Sequence, residues 1–122
     1  MLNLIKNVEE KINYSFPQDY ASYIKNSKPL RFEKNLFKTS NNEEKVLRYL
    51  YSFDENERNY IIKFQSFDSQ FKDKIVPFAE LEFGDLLCFD RNNNNIVLYN
   101  HELDEIEIVA NSFTEFLGKL YN

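Results

Sequence analysis

"IVPFAELEFGDLLCFD", residues 75–90, decides the fold, because it gathers a proline, the first of the two glycines, the sole cysteine and carboxylates set among large apolar side chains. An enzyme would use such a stretch as a paired-carboxylate site, and a binding module as a buried strand with an acidic rim. "DLLCFD" (85–90) and "NIVLYNHE" (95–102) are near-continuous apolar runs joined through the Asn-rich "RNNNN". That is the composition of a hairpin between strands buried on both faces. Strands are therefore expected near 84–90 and 96–102, with residues between Pro77 and Gly84 as an ordered loop in which Phe78 and Leu81 pin down the chain. In "DEIEIVA" (104–110), Ile106 and Ile108 alternate with Glu105 and Glu107, the period of a strand wet on one face. A third strand is expected over 105–110, with Glu105 and Glu107 pointing to solvent. Short connections make the three consecutive antiparallel neighbours.

The flanks read as helices. "SFTEFLGKLY" (112–121) has Ser112 and Glu115 at capping-box spacing and a stripe of Phe113, Phe116, Leu117, Leu120 and Tyr121. It predicts a helix packed on the sheet through Phe113 and Phe116. Leu4, Ile5, Val8 and Ile12 predict an amphipathic helix over 2–13. "FPQDYASYIKNS" (16–27) restarts helix, with Pro17 and Asp19 suited to its first turn and Tyr20, Tyr23 and Ile24 on one face, and Pro29 ends it. From 30 to 51, "RFEKNLFKTS" and "KVLRYLYSF" predict a hairpin about "SNNEE". Val46, Leu47 and Leu50 also satisfy a helical period, but the aromatic "YLYSF" favours strand. After Asp54, read as an N-cap with Glu57 three residues on, Tyr60, Ile61, Phe64 and Phe67 predict a short helix.

A chain of 122 residues, 43% hydrophobic, fits one domain over 1–122. Twelve Phe and eight Tyr against no Trp and one Met imply a core of rigid rings. No apolar run approaches the ~20 residues that span a bilayer. Lys6, Glu9, Glu10 and Lys11 interrupt the segment where a signal peptide would be apolar. A cytoplasmic protein without membrane contact is expected, with Cys88 reduced in the core. Residues 1–74 hold 13 basic and 11 acidic side chains, a net of +2, whereas residues 75–122 hold Arg91 and Lys119 against nine acids, a net of −7. Such a field repels nucleic acid and steers a basic partner, with acids that merely solvate a surface as the alternative reading.

Catalytic patterns are absent from the sequence: no Gly-x-Ser-x-Gly elbow, no Gly-rich phosphate loop and no His-Glu-x-x-His pair. His101 is the single histidine. If Asp90 pairs with Ile96, Cys88 faces Leu98 and His101 faces Asp85, so Cys88 and His101 fall on opposite faces; a one-residue slip would put them on one face but offset along the strands, and neither register favours a dyad. Asp85 and His101 are expected to latch the strand ends together. Glu80, Glu82 and Asp85 lack the spacing of a calcium loop. In "FQSFDSQFKDK" (64–74), Asp68 and Asp73 offset Lys63, Lys72 and Lys74, which argues for core packing over a nucleic-acid stacking platform. No enzyme, metal or cofactor is expected.

The order of these elements resembles the SUKH (Smi/Knr-like) superfamily. The resemblance rests on "FPQDYASYI", on Val76 to Asp90, on the strand ending in Asn100, His101 and Glu102, and on Ser112 to Phe116. Two departures are "NSKPLRF" (26–32), where the family often has an Asn-Gly-Gly turn, and Asn100, where it has Asp. The resemblance implies an α+β domain with a central antiparallel sheet, N-terminal helices and a C-terminal helix. In bacteria it implies an immunity protein that binds a cognate toxin, often a nuclease, in the cytoplasm. A protein-interaction or regulatory module without a toxin partner is the alternative. A basic toxin, with no direct nucleic-acid contact, would meet Glu80, Glu82, Asp85, Glu102, Asp104, Glu105 and Glu107, which lie near the ends or wet face of three neighbouring strands. The opposite face and the loop near 28–44 are the competing surfaces.

Overall fold

Apolar runs too long for one wet face build the centre of this molecule. In the computed structural model, which describes residues 2–26 and 34–122, they form the middle of a six-stranded antiparallel sheet. The elements are α1 (Leu2–Ile12), α2 (Gln18–Asn26), β1 (Leu36–Lys38), β2 (Glu44–Leu50), a 3-10 turn (Ile61–Phe64), β3 (Ile75–Leu81), a 3-10 turn (Glu82–Gly84), β4 (Leu86–Asp90), β5 (Ile96–Asn100), β6 (Glu105–Ala110) and α3 (Phe113–Gly118). Each strand pairs with the next in sequence, so the order β1 to β6 is a meander. The sheet curls until its edges meet: Ser40 Oγ, after β1, donates to Glu107 Oε2 on β6 at 3.1 Å.

Both faces of the central strands are covered. On one, Val76, Phe78, Leu87, Phe89, Ile96 and Leu98 join the helices' Tyr20, Phe113 and Phe116 in the main core. Phe78 stacks on Phe89 at 4.4 Å, and Tyr20 meets Phe89 and Phe113 edge-on at 5.0 Å each. Offset and edge-on geometries of this kind stabilise ring pairs beyond their buried area. On the other face Ile75, Cys88, Val97 and Tyr99 form a smaller core, with Phe67 and Phe71 packed over it. Thus the aromatic 64–74 segment packs as core. Asp19 Oδ2 ties α2 to α3 by accepting from the Thr114 backbone N–H (2.9 Å) and hydroxyl (2.8 Å).

Several expectations are corrected. The predicted loop from Pro77 is instead the last part of β3, a central strand. Pro77 fits because β2 pairs only with residues 79–81 of β3 and the β3–β4 register shifts between Pro77 and Ala79. Its missing N–H falls where the β2 ladder has ended. The β4–β5 register is one residue from the expected one: Phe89 faces Ile96 and Cys88 faces Val97, so the expected placement of Cys88 and His101 on opposite faces of the hairpin does not hold. Asn94, at φ 62°, lets the turn close between Asp90 and Asn95 (N···O 2.9 Å).

Along β6 the predicted alternation fails in its second half. Glu105 is exposed, but Glu107 is half-buried against Ser40, and Ile108 is 59% exposed. A register shift opposite Ile96 and Val97 sets Ile108 against Val97 on the smaller-core face, where Ile106 packs into the cluster and Ile108 does not. The helix expected after Asp54 is one 3-10 turn. Asp54 Oδ1 accepts from the Asn56 N–H instead of capping a helix, and the bridge between Ser52 and Tyr60 keeps the intervening chain looped. Ser112 does cap α3, accepting from the Glu115 N–H at 3.0 Å. The helix stops at Gly118 because Tyr121 leaves it to exchange backbone bonds with Leu36. The "KVLRYL" run is strand β2. The expected stop at Pro29 and the start of the 28–44 loop lie outside the described residues.

Candidate partner-binding surface

Two turns share one end of the sheet, the one between β3 and β4 and the one between β5 and β6, and Gly84 and His101 join them. Gly84 has φ +91°, and a Cβ there would stand 3.1 Å from His101 Cε1. Only glycine lets the backbone approach the ring so closely at that φ. Next to it, Asp85 Oδ1 lies 2.8 Å from His101 Nδ1 and also accepts from the His101 N–H at 3.3 Å. The expected latch is therefore present although the strand register differs by one. His101 lies past the end of β5, in the turn, so its contact with Asp85 is not set by the ladder.

The seven predicted carboxylates divide into two groups. Glu80 is held inside, 3.4 Å from the Arg48 guanidinium and accepting from the Tyr51 hydroxyl at 3.0 Å. Burial and then the neighbouring Glu80 charge push the Tyr51 hydroxyl far up. Asp85 is occupied by His101. Asp104, at φ 52°, accepts from the hydroxyls of Ser69 and Tyr99 and from the Gln70 N–H. The Ser69 and Tyr99 hydroxyls hold its carboxyl below the usual carboxylate value. Glu107 is engaged by Ser40. Glu82, Glu102 and Glu105 remain exposed, one on or beside each of the two turns and one at the start of β6. The pairing Glu80–Leu86–Tyr99–Ile106 runs laterally across four strands, so three strand spacings along the curled sheet separate the acids of β3 from those of β6.

Sequence reasoning missed the apolar partners of these charges. Phe83 is 87% exposed and Leu103 65% exposed, one on each of the two joined turns. By alternation Phe83 belongs with Ala79 and Leu81, which are buried; Gly84 was the signal that the strand stops before it. Beside Leu103, a groove of about 590 Å³ follows β6, with Glu43, Phe71, Glu105 and Glu107 in its walls.

Cys88 is fully buried, and desolvation pushes its thiol well up, away from the reactive thiolate. Among the described residues no group of three or more His, Cys, Asp or Glu side chains could hold a metal ion. No described helix is long and apolar enough to cross a membrane.

Comparison with known proteins places this geometry. The family described as SUKH_6, SMI1-KNR4 cell-wall, matches residues 2–117. The chain belongs to the SUKH family. The match includes both N-terminal helices, all six strands and most of α3, so the predicted α+β architecture of a SUKH chain is the observed one. This SUKH chain is also 26% identical over 141 residues to the SPbeta prophage-derived uncharacterized protein YokK of Bacillus subtilis (strain 168), covering 95% of this chain and 72% of that protein. No solved structure matches the SUKH chain significantly.

Proposed function

We propose that this SUKH chain is a bacterial immunity protein that binds a cognate toxin in the cytoplasm and neutralises it by occupying its basic, substrate-binding face, without catalysis of its own. The observation that carries this reading is the conjunction of SUKH membership with exposed, unbalanced acid at one end of the sheet. A toxin that cuts nucleic acid presents cations to phosphate, and an acidic surface competes for the same cations. The prophage origin of the Bacillus relative is in keeping with a gene exchanged between competing cells. A binder also has no use for a reactive thiol, which suits the placement of Cys88, sealed in the smaller core.

The test is co-expression in a bacterial host with the toxin domain encoded beside the gene. Growth should be rescued, and rescue should persist in Cys88→Ser. A host killed equally with and without this chain would reject the reading; rescue lost in well-folded Cys88→Ser would reject the non-catalytic mechanism.

A further inference from the structure

We propose that the toxin docks on the sheet end where Phe83 and Leu103 stand out, with Phe83 entering an apolar socket rimmed by Lys or Arg. This rests on the immunity reading and names its contact surface. Phe83 carries three features that folding alone does not reward. Its ring is 87% exposed. Its backbone sits at φ 69°, ψ 14°, a left-handed conformation that glycine adopts freely and a bulky side chain only at a cost. And it immediately precedes Gly84, whose contact with His101 makes this turn close-fitting. A sequence selected only for stability would place a small or polar residue there. Strain kept at an exposed aromatic residue is what a binding anchor looks like before its partner arrives.

Leu103 makes the feature more than a lone exposed ring. It projects from the adjoining turn, joined to the first through the Gly84–His101 and Asp85–His101 contacts. Its own turn is fixed by Asn100 Oδ1, which accepts from the Glu102 and Leu103 N–H groups. The two apolar tips are thus presented on a braced frame, which lowers the ordering cost of binding.

The surrounding charge selects the occupant. Glu82 and Glu102 flank the two tips in sequence and are exposed, with Glu105 just beyond. The two cations of residues 75–122 lie elsewhere: Arg91 bonds the carbonyls of Ile12 and Asn13, and Lys119 bonds that of Val109; on the neighbouring strand β2, Arg48 is paired with Glu80. A second copy would bring acid against acid. A basic protein surface with an apolar hollow is complementary in both respects.

The experiment measures Kd between the full chain and the purified toxin domain encoded beside its gene, together with Tm and solution mass, for wild type, Phe83→Gly and Leu103→Ser. Phe83→Gly relieves the backbone strain while removing the ring. Expected are an unchanged or raised Tm and a Kd weakened at least about thirtyfold, with a loss of the same direction in Leu103→Ser. Wild type that binds, with Phe83→Gly binding equally, would overturn the docking surface and leave the immunity reading standing. Wild type that fails to bind would overturn both. A lowered Tm in Phe83→Gly would show that the ring serves the fold, and a wild-type dimer made monomeric by Phe83→Gly would show that a second copy takes the site; either result overturns the proposal.

Discussion

The two glycines make opposite demands, and comparing them isolates what the Gly84–His101 contact contributes. At Gly84 a methyl group would meet the His101 ring at 3.1 Å, on a backbone at φ +91°. Gly84→Ala should therefore cost about 1–2 kcal/mol from the backbone alone. It should also displace His101 from Asp85. At Gly118 an added Cβ meets nothing within 4 Å, so Gly118→Ala should stabilise by about 0.4–1 kcal/mol. Denaturant midpoints of the two variants check the contrast. Asp104 gives a pH-dependent counterpart. Its carboxyl is held below the reference value of 3.8, first by Ser69 and then by Tyr99. A depressed folded value means stability that is present above the unfolded value and lost as pH falls through the folded one. Asp104→Asn should thus have the lower Tm at pH 7, and the gap should close below about pH 4. A constant gap across that range would contradict the assignment. The approach of Gly84 to the His101 ring and the hydroxyl contacts of Asp104 were not legible in the sequence, because both depend on turns whose φ angles no local pattern specifies. Asp85–His101 was legible because both ends of a short hairpin must come together.

Among the elements, patterns long enough to show a period were readable and short or punctuated ones were not. Strands β4 and β5, helix α1 and the Ser112-capped start of α3 follow from apolar runs or stripes. Strand β3 did not, because Pro77 argues against a central strand unless the neighbouring ladder stops short of it, and only the paired structure shows that it does. The end of α3 was similarly hidden: Leu120 and Tyr121 fit a helical stripe, but Tyr121 is taken by the edge strand β1. The predicted anchoring of α3 through Phe113 and Phe116 is observed. Phe116 is fully buried and meets Phe37 edge-on at 5.3 Å. Phe116→Ala should cost about 3–5 kcal/mol by leaving a cavity that β1 and α3 cannot close. Ser112→Ala should cost about 1 kcal/mol through loss of the cap. Equilibrium unfolding of both variants measures the two costs, and a smaller loss in Phe116→Ala than in Ser112→Ala would mean that α3 is not seated as described.

For the molecule as a whole, the asymmetry of charge was visible in the sequence and its distribution was not. The count of nine acids against two cations in residues 75–122 says that a field exists. Hydrogen bonding then decides which acids present that field to a partner: Glu80, Asp85, Asp104 and Glu107 are engaged within the fold, and Glu82, Glu102 and Glu105 face outward. On the proposed function this outward group captures a basic toxin, and the association rate is the quantity that long-range attraction of this kind governs. For the purified chain and its toxin domain, the rate should fall steeply as salt rises from ~50 to ~500 mM, since screening shortens the reach of exposed charge. At low salt the triple variant Glu82→Lys, Glu102→Lys, Glu105→Lys should associate at least about tenfold more slowly, with Tm nearly unchanged. An association rate indifferent both to salt and to the triple reversal would contradict the account.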